Sequence, residues 1–135
     1  MKFPEIGCKI EINCTISPSE NPNKITQAIS NIFPQMTIET SNFLANAKST
    51  ELQSLEKIQE AIHSRQSQRV YRRHLEKNLK NDVTWFYLNK QAAFAKKIII
   101  CETPEESPLG PIKITITSSN TDRIIDWLVS EYNET

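Results

Sequence analysis

The sequence predicts an α+β protein in which helices pack against a mixed or largely antiparallel sheet. Three observations predict it: strict apolar alternation near both ends of the chain, helical periodicity between them, and an order of strand, helix, two strands, two helices, three strands and helix. The chain has 135 residues, of which 38% are hydrophobic and 24% are charged. Because that length and composition suit one hydrophobic core, residues 1–135 are expected to form a single α+β domain.

The first strand and helix carry clear local signals. From Cys8 to Ile16 apolar and polar residues alternate, which predicts a half-buried strand. Asn21 then precedes Pro22 in the arrangement of an N-cap and first helical residue, and the following isoleucines fall on one helical face. We expect this helix to end before Pro34.

The middle of the chain predicts two short strands and two helices. Residues 35–47 favour strands around a turn. A T-x-x-Q capping pattern starting at Thr50 predicts a helix from about Glu51 into the sixties. A second helical pattern covers residues 66–80 and is joined to the first through a bend near Arg65.

The last third of the chain predicts three strands and a helix. The segments VTWFYL, KKIIIC and IKITITS read as strands, and the polar, proline-rich ETPEESPLGP between the second and third predicts a hairpin. Ser119 with Asp122 three residues later is a helix-start pattern. The apolar side of the final helix is then formed by Ile124, Ile125, Leu128, Val129 and Tyr132.

The sequence contains no recognisable catalytic or cofactor motif. With only two glycines, Gly7 and Gly110, it lacks the glycine-rich loops that bind phosphate. His63 and His74 belong to no metal-binding pattern and are expected to be solvated, as is the acidic loop from Glu102 to Glu106. We therefore expect a protein without enzymatic activity, cofactor or metal, although a catalytic site of dispersed residues stays possible.

The cysteines and the apolar runs indicate a protein of the cytoplasm. Cys8, Cys14 and Cys101 form an odd set without a CxxC pair, which favours reduced thiols over disulfides or zinc ligands. No apolar run approaches the roughly 20 residues of a membrane span, and the first residues lack a long apolar secretory stretch.

Positive charge is concentrated in one segment of a chain whose net charge is +0. Residues 65–97 contain nine basic and two acidic residues, a local charge of +7. At about 100° per residue, the basic residues of the predicted helix share one arc, opposite Tyr71, Leu75 and Leu79. The basic arc comprises Arg65, Arg69, Arg72, Arg73, Lys77 and Lys80.

This basic face has two interpretations. Clustered arginines suit phosphate oxygens, and Trp85, Phe86 and Tyr87 nearby could provide a surface on which bases stack, so the face could bind RNA. Alternatively the face is only solvated, or pairs with the acidic remainder of this chain or of a second copy, while alternate aromatic residues point into the core. The balanced overall charge favours the second interpretation.

Three segments of the sequence resemble a known family. FYLNKQAAFAKK (Phe86 to Lys97), SPLGPIKITI (Ser107 to Ile116) and SPSENPNKITQAISNIFP (Ser17 to Pro34) resemble an archaeal group catalogued as uncharacterised protein family number 0201. The resemblance leads us to expect a glycine where this chain has Lys96 or Lys97. The family-like positions Leu88, Asn89, Lys90 and Gln91 have no assigned role, although Asn89 and Gln91 could satisfy backbone groups where a strand ends.

The resemblance implies a fold similar to that of the large-subunit ribosomal protein that binds 5S rRNA, and it implies a homodimer. It implies no established activity, and RNA binding follows from the fold by analogy alone. The leading hypothesis is thus a non-enzymatic, dimeric binding module that contacts RNA or a ribonucleoprotein through the basic helix. The alternatives are a structural or protein-interaction homodimer without affinity for nucleic acid and an enzyme with a dispersed site.

Overall fold

A computed structural model describes residues 4–130 as one six-stranded antiparallel sheet with α-helices, which confirms the α+β class. The strands are β1 (Lys9–Thr15), β2 (Ile38–Ser41), β3 (Leu44–Ser49), β4 (Val83–Leu88), β5 (Ile100–Cys101) and β6 (Ile112–Thr117). The α-helices are α1 (Pro22–Ile32), α2 (Glu56–Ser64), α3 (Gln68–Asn78), α4 (Lys90–Phe94) and α5 (Thr121–Val129). The strand order is β2-β3-β1-β6-β4-β5.

The early elements form where their local signals predict them. Strand β1 alternates between buried and less buried side chains, and Ile10 and Ile12 are fully buried. Asn21 is the N-cap of α1: its side chain accepts a hydrogen bond of 2.9 Å from the backbone N of Asn23. The helix ends at Ile32, two residues before Pro34, as expected for a chain approaching proline.

The predicted hairpin between the last two strands is wrong. Strand β5 pairs with β4, while β6 lies between β1 and β4 with pairing on both of its edges. Alternation identifies a strand but not its neighbours, and Ile112, Ile114 and Ile116 are as fully buried as a central strand requires. The predicted KKIIIC strand is reduced to Ile100–Cys101. Its first two residues, Lys96 and Lys97, instead belong to the turn that ends α4 (Lys90–Phe94), a helix that the sequence did not predict.

The α2–α3 region also departs from the prediction. The chain enters α2 through a 3₁₀ turn at Leu52–Leu55, whose N-cap Glu51 makes no side-chain capping bond, so the Thr50 capping pattern is wrong. The expected bend near Arg65 is a complete helix end. Gln66 has φ 53° and donates to the carbonyl of His63 at 3.2 Å, while Ser67 donates to the carbonyl of Ile62 at 3.0 Å. These two bonds form a Schellman motif, which separates α2 from α3.

The final helix has the predicted apolar side but a different start. Helix α5 begins at Thr121, whose Oγ1 donates to the carbonyls of Asp82 and Ser118, each at 2.7 Å. Ser119 therefore does not cap it. Ile124, Ile125, Leu128 and Val129 are buried as expected, whereas Tyr132 lies outside the described residues.

All the helices pack on one face of the sheet. The core is a single cluster that combines the buried residues of the strands with the apolar sides of the helices. The alternate strand residues, among them Asn13, Trp85 and Thr115, are only partly buried and form the opposite, open face. None of the helices within residues 4–130 is long and apolar enough to cross a membrane.

Candidate nucleic-acid interface

The six predicted basic residues lie on the surface but not on one helix. Arg69, Arg72, Arg73 and Lys77 belong to α3, whereas Arg65 is the C-cap of α2 and Lys80 lies in the turn before β4. All are exposed except Arg72, which is half-buried. Buried on the other side of α3 are Tyr71 and Leu75, and Leu79 packs against the core just beyond the helix. The amphipathic pattern is therefore confirmed for α3 itself.

Two of the arginines are paired with carboxylates. Arg72 Nη1 lies 3.0 Å from Asp126 Oδ1 and 3.3 Å from Glu76 Oε2. The hydrogen bond to Asp126 is the main reason that the pKa of Arg72 is raised. Arg73 Nη2 lies 2.6 Å from Glu102 Oε1, which ties α3 to the loop after β5. Part of the basic face is thus neutralised by carboxylates of the same chain.

The other four basic residues are available to a partner. Arg65, Arg69, Lys77 and Lys80 are exposed, and no ion pair ties any of them to another residue in the described range. Arg65 and Arg69 flank the start of α3, and Lys77 and Lys80 flank its end. Unpaired cations near both ends of α3, a helix of 11 residues that is about 16 Å long at 1.5 Å per residue, suit contacts with a phosphate backbone.

Lys90, counted among the nine basic residues of the segment, contributes nothing to this surface. Its side chain is 0% exposed, and its Nζ lies 3.1 Å and 3.2 Å from the two carboxylate oxygens of Glu20. The same ammonium donates to the carbonyls of Thr15 and Leu109, each at 2.9 Å. Its donors are thus fully used, so Lys90 is a buried link between separate segments.

The other family-like residues have local roles. Leu88 is fully buried in the core. Asn89 is the N-cap of α4, with its side-chain oxygen accepting from the backbone N of Ala92 at 2.9 Å, which agrees with the expected backbone-satisfying role. Gln91 is exposed. The backbone N of Lys90 donates to Ser107 Oγ at 2.9 Å, so the segment from Leu88 to Gln91 mainly stabilises the turn from β4 into α4.

The three consecutive aromatic residues divide between the two faces of the sheet. Phe86 is 1% exposed and meets Tyr71 edge to face, with 5.6 Å between ring centroids. Trp85 and Tyr87 lie on the open face and are partly exposed. The ammonium of Lys113 lies 5.3 Å from the centroid of Trp85. Phe86 is therefore removed from the expected stacking surface, and Lys113, which sequence reasoning missed, joins it.

The cysteines are free thiols, and the histidines are partly buried. All three cysteines are free, as expected, and burial raises the pKa of Cys14 and of Cys101 to about 11. The expectation of solvated histidines is wrong, because the Nε2 atoms of His63 and His74 are both buried. His74 packs beside Glu102, with 3.7 Å between Nε2 and Oε1. Within residues 4–130 no group of three or more His, Cys, Asp or Glu side chains could hold a metal ion.

These features define an α+β protein whose sheet carries an exposed basic helix on one side and an open face on the other. The chain belongs to the family whose model is described as RNA binding, which matches residues 9–118. It is similar to a UPF0201 protein of Sulfurisphaera tokodaii, with 40% identity over 124 residues that cover 89% of this chain and 86% of the relative. A UPF0201 protein of Methanothermobacter thermautotrophicus is 32% identical, over 91% and 92% of the two chains.

Solved structures agree with this membership. An uncharacterised UPF0201 protein has a TM-score of 0.79 and 28% identity, covering 94% of this chain and 97% of that one. The UPF0201 protein of Methanococcus jannaschii has a TM-score of 0.76 and 26% identity, covering 93% and 95%. The resemblance found in the sequence, to the archaeal uncharacterised family numbered 0201, is confirmed.

Proposed function

We propose that this protein is a non-enzymatic RNA-binding module that holds the phosphate backbone against α3 and its flanking turns. The observation that carries the proposal is the set of four exposed cations, Arg65, Arg69, Lys77 and Lys80, that no described carboxylate neutralises. The match of residues 9–118 to a family described as RNA binding supports it independently. Arg72 and Arg73 contribute less, because RNA would have to compete with their carboxylate partners.

The test is RNA binding measured by filter retention or fluorescence anisotropy across a salt series. A variant with glutamine at Arg65, Arg69, Lys77 and Lys80 should bind more weakly at low salt. If each side chain contacts one phosphate, the slope of log K against log salt should also flatten by about 3, since each contact contributes roughly 0.7 on a single strand. Failure of the unmodified protein to bind RNA at low salt would overturn the proposal.

A matched control separates the basic face from a general charge effect. Lys77→Gln with Lys80→Gln removes two charges from the face, and Lys24→Gln with Lys57→Gln removes two exposed charges from α1 and α2. Only the first pair should flatten the salt slope, by about 1.4. Equal effects of the two pairs would mean that RNA responds only to net charge.

The second candidate is a homodimer that serves protein interaction without affinity for RNA. It is favoured by two large exposed apolar side chains, Phe43 at 60% and Leu109 at 51% exposure. Their turns both contact the end of β1: the carbonyl of Phe43 accepts from Ile16 N, and Lys90 links the carbonyls of Leu109 and Thr15. Sedimentation velocity should give a dimer that Phe43→Ser with Leu109→Ser converts to a monomer. A monomeric unmodified protein would remove this candidate.

A further inference from the structure

One half of the open sheet face has the composition of a base-stacking surface. Strands β4 and β6 pair side by side, with Trp85 opposite Thr115 and Tyr87 opposite Lys113. Their outward side chains are all partly exposed, in contrast to the buried Phe86 and Ile114 between them. We call these outward residues the β4–β6 patch: Val83, Trp85, Tyr87, Lys113, Thr115 and Thr117.

The two aromatic residues of the patch have the spacing that successive bases need. Trp85 and Tyr87 are two residues apart on one strand, a separation of about 6.8 Å. Neighbouring unstacked bases of an extended single strand can reach aromatic side chains at such a separation. Lys113 lies opposite Tyr87 in the register, and its ammonium lies 5.3 Å from the Trp85 ring centroid. One positive charge is therefore placed beside both aromatic residues.

The charge of the patch also suits an anionic ligand. Lys113 is its one charged member, and Glu11 of the neighbouring strand β1, which lies opposite Thr115 in the register, is paired with Lys9 at 3.8 Å. Two of the three carboxylates of the nearby loop after β5 are already engaged, whereas Glu105 is exposed. Glu102 pairs with Arg73 at 2.6 Å, and Glu106 Oε1 accepts from the backbone N of Glu102 at 2.7 Å.

The patch is continuous with the basic face around one edge of the sheet. Strand β5 pairs with β4 only at Tyr87 and Leu88, and the side chain of Asn78, the last residue of α3, donates to the carbonyl of Trp85 at 2.8 Å. Lys80 is bridged to Val83 of the patch by two backbone hydrogen bonds of 2.9 Å and 3.1 Å. A single strand can therefore pass from α3 to the patch through the turn at Lys80.

We propose that the β4–β6 patch binds unpaired bases, so that the RNA recognised by this protein is single-stranded. Trp85 and Tyr87 stack on successive bases, while Lys113 and Lys80 contact phosphates between them. A double helix presents no free base faces and can contact only the basic helix. This inference rests on the proposed function, since it names the class of RNA that the basic face would hold.

The experiment compares two RNA probes, an oligouridine of about 12 nucleotides and a duplex of the same length, by fluorescence anisotropy at fixed low salt. The unmodified protein should bind the single strand more tightly. Trp85→Leu and Tyr87→Leu, which keep apolar volume but remove the ring, should each weaken single-strand binding about fivefold or more, the effect of one lost stacking contact. Binding of the duplex should stay unchanged.

Trp127→Leu is the matched control. Trp127 lies on α5, on the helical side of the sheet, so its loss removes the other tryptophan without touching the patch. Urea unfolding of each variant verifies that it is folded before binding is measured. The control should bind both probes as the unmodified protein does.

The outcomes separate the two proposals. Duplex bound as tightly as single strand, or single-strand binding unchanged in both Trp85→Leu and Tyr87→Leu, overturns the stacking inference and leaves the basic face standing. No binding of either probe at low salt overturns both. If Trp85→Leu instead converts a dimer to a monomer, the patch is a contact between copies of the chain and the inference is wrong.

Discussion

Removing the ammonium of Lys90 should be among the most destabilising single changes in this protein. Lys90→Met keeps most of the side-chain volume but leaves the Glu20 carboxylate, whose side chain is only 8% exposed, without its partner. It also leaves the carbonyls of Thr15 and Leu109 without the donors they have at 2.9 Å. Breaking a buried pair by removing one member costs about 3–5 kcal/mol. That is a large share of the roughly 5–15 kcal/mol by which such domains are stable.

Urea unfolding followed by circular dichroism measures this loss. With a denaturant slope of about 2 kcal/mol per molar, a loss of about 3–5 kcal/mol lowers the midpoint by about 1.5–2.5 M. Adding Glu20→Gln removes the uncompensated charge and keeps an acceptor for the backbone N of Ser17, which Glu20 accepts from at 2.7 Å. The double variant should therefore recover at least about 1 kcal/mol over Lys90→Met alone.

Lys97→Met is the matched control, because Lys97 is exposed and no ion pair ties it to another described residue. Its stability should stay within about 0.5 kcal/mol of the unmodified protein. A Lys90→Met variant that loses less than about 1 kcal/mol would refute the reasoning. So would a double variant that is less stable than Lys90→Met, because the charge of Glu20 would then not be the source of the cost.

Three further predictions follow from local geometry. Lys96→Gly should stabilise the protein by about 0.5–1 kcal/mol in urea unfolding. Lys96 has φ 63°, where a residue with a Cβ is strained by about 1–2 kcal/mol, but part of this gain is offset because glycine has more conformational entropy in the unfolded chain. A loss of stability would contradict this prediction. Asp126→Asn should remove the nearer of the two carboxylates paired with Arg72, leaving only Glu76, and so tighten RNA binding while changing stability by less than about 1 kcal/mol. Weaker binding in the anisotropy assay would count against it. Burial raises the pKa of Cys14 and Cys101 from about 9 in the unfolded chain to about 11, so their contribution to stability is present below pH 9 and is lost as the pH rises towards 11. A Cys14→Ala, Cys101→Ala variant should therefore show a smaller drop in urea midpoint between about pH 8 and pH 10.5 than the unmodified protein. An identical drop would refute the prediction.

The fold was predictable where a local pattern determines the structure. Alternation located β1 and β6, aromatic and β-branched composition located β4, and helical periodicity with a capping residue located α1. Strand neighbours were not predictable, because the alternation that marks β6 is the same whether it pairs with β5 or lies between β1 and β4. The expected glycine after α4 reflects real geometry: Lys96 and Lys97 donate to the carbonyls of Ala93 and Ala92 in a Schellman motif that favours glycine.

The exposure of a site residue was predictable where it depends on the local helical pattern. It was not predictable where it depends on a partner that is distant in the sequence. Exposure of Arg65 and Arg69 followed from the amphipathic pattern. The burial of Lys90 did not, because its partner Glu20 lies 70 residues away and nothing around either residue marks them as a pair. The neutralisation of Arg73 by Glu102, 29 residues later, is a similar case. Lys113 was missed because its role depends on lying beside β4.

The position of β6 in the chain determines when the six-stranded sheet can be completed during synthesis. Strands β2, β3 and β1 pair among themselves, as do β4 and β5, and among the described strands only β6 (Ile112–Thr117) pairs with both groups. During synthesis the first hundred residues can therefore form two separate small sheets. In each of them the strand that later pairs with β6 has an unpaired edge. We expect a chain truncated before Ile112 to aggregate, and we expect the complete chain to fold slowly for its size, because the joining contacts span about a hundred residues.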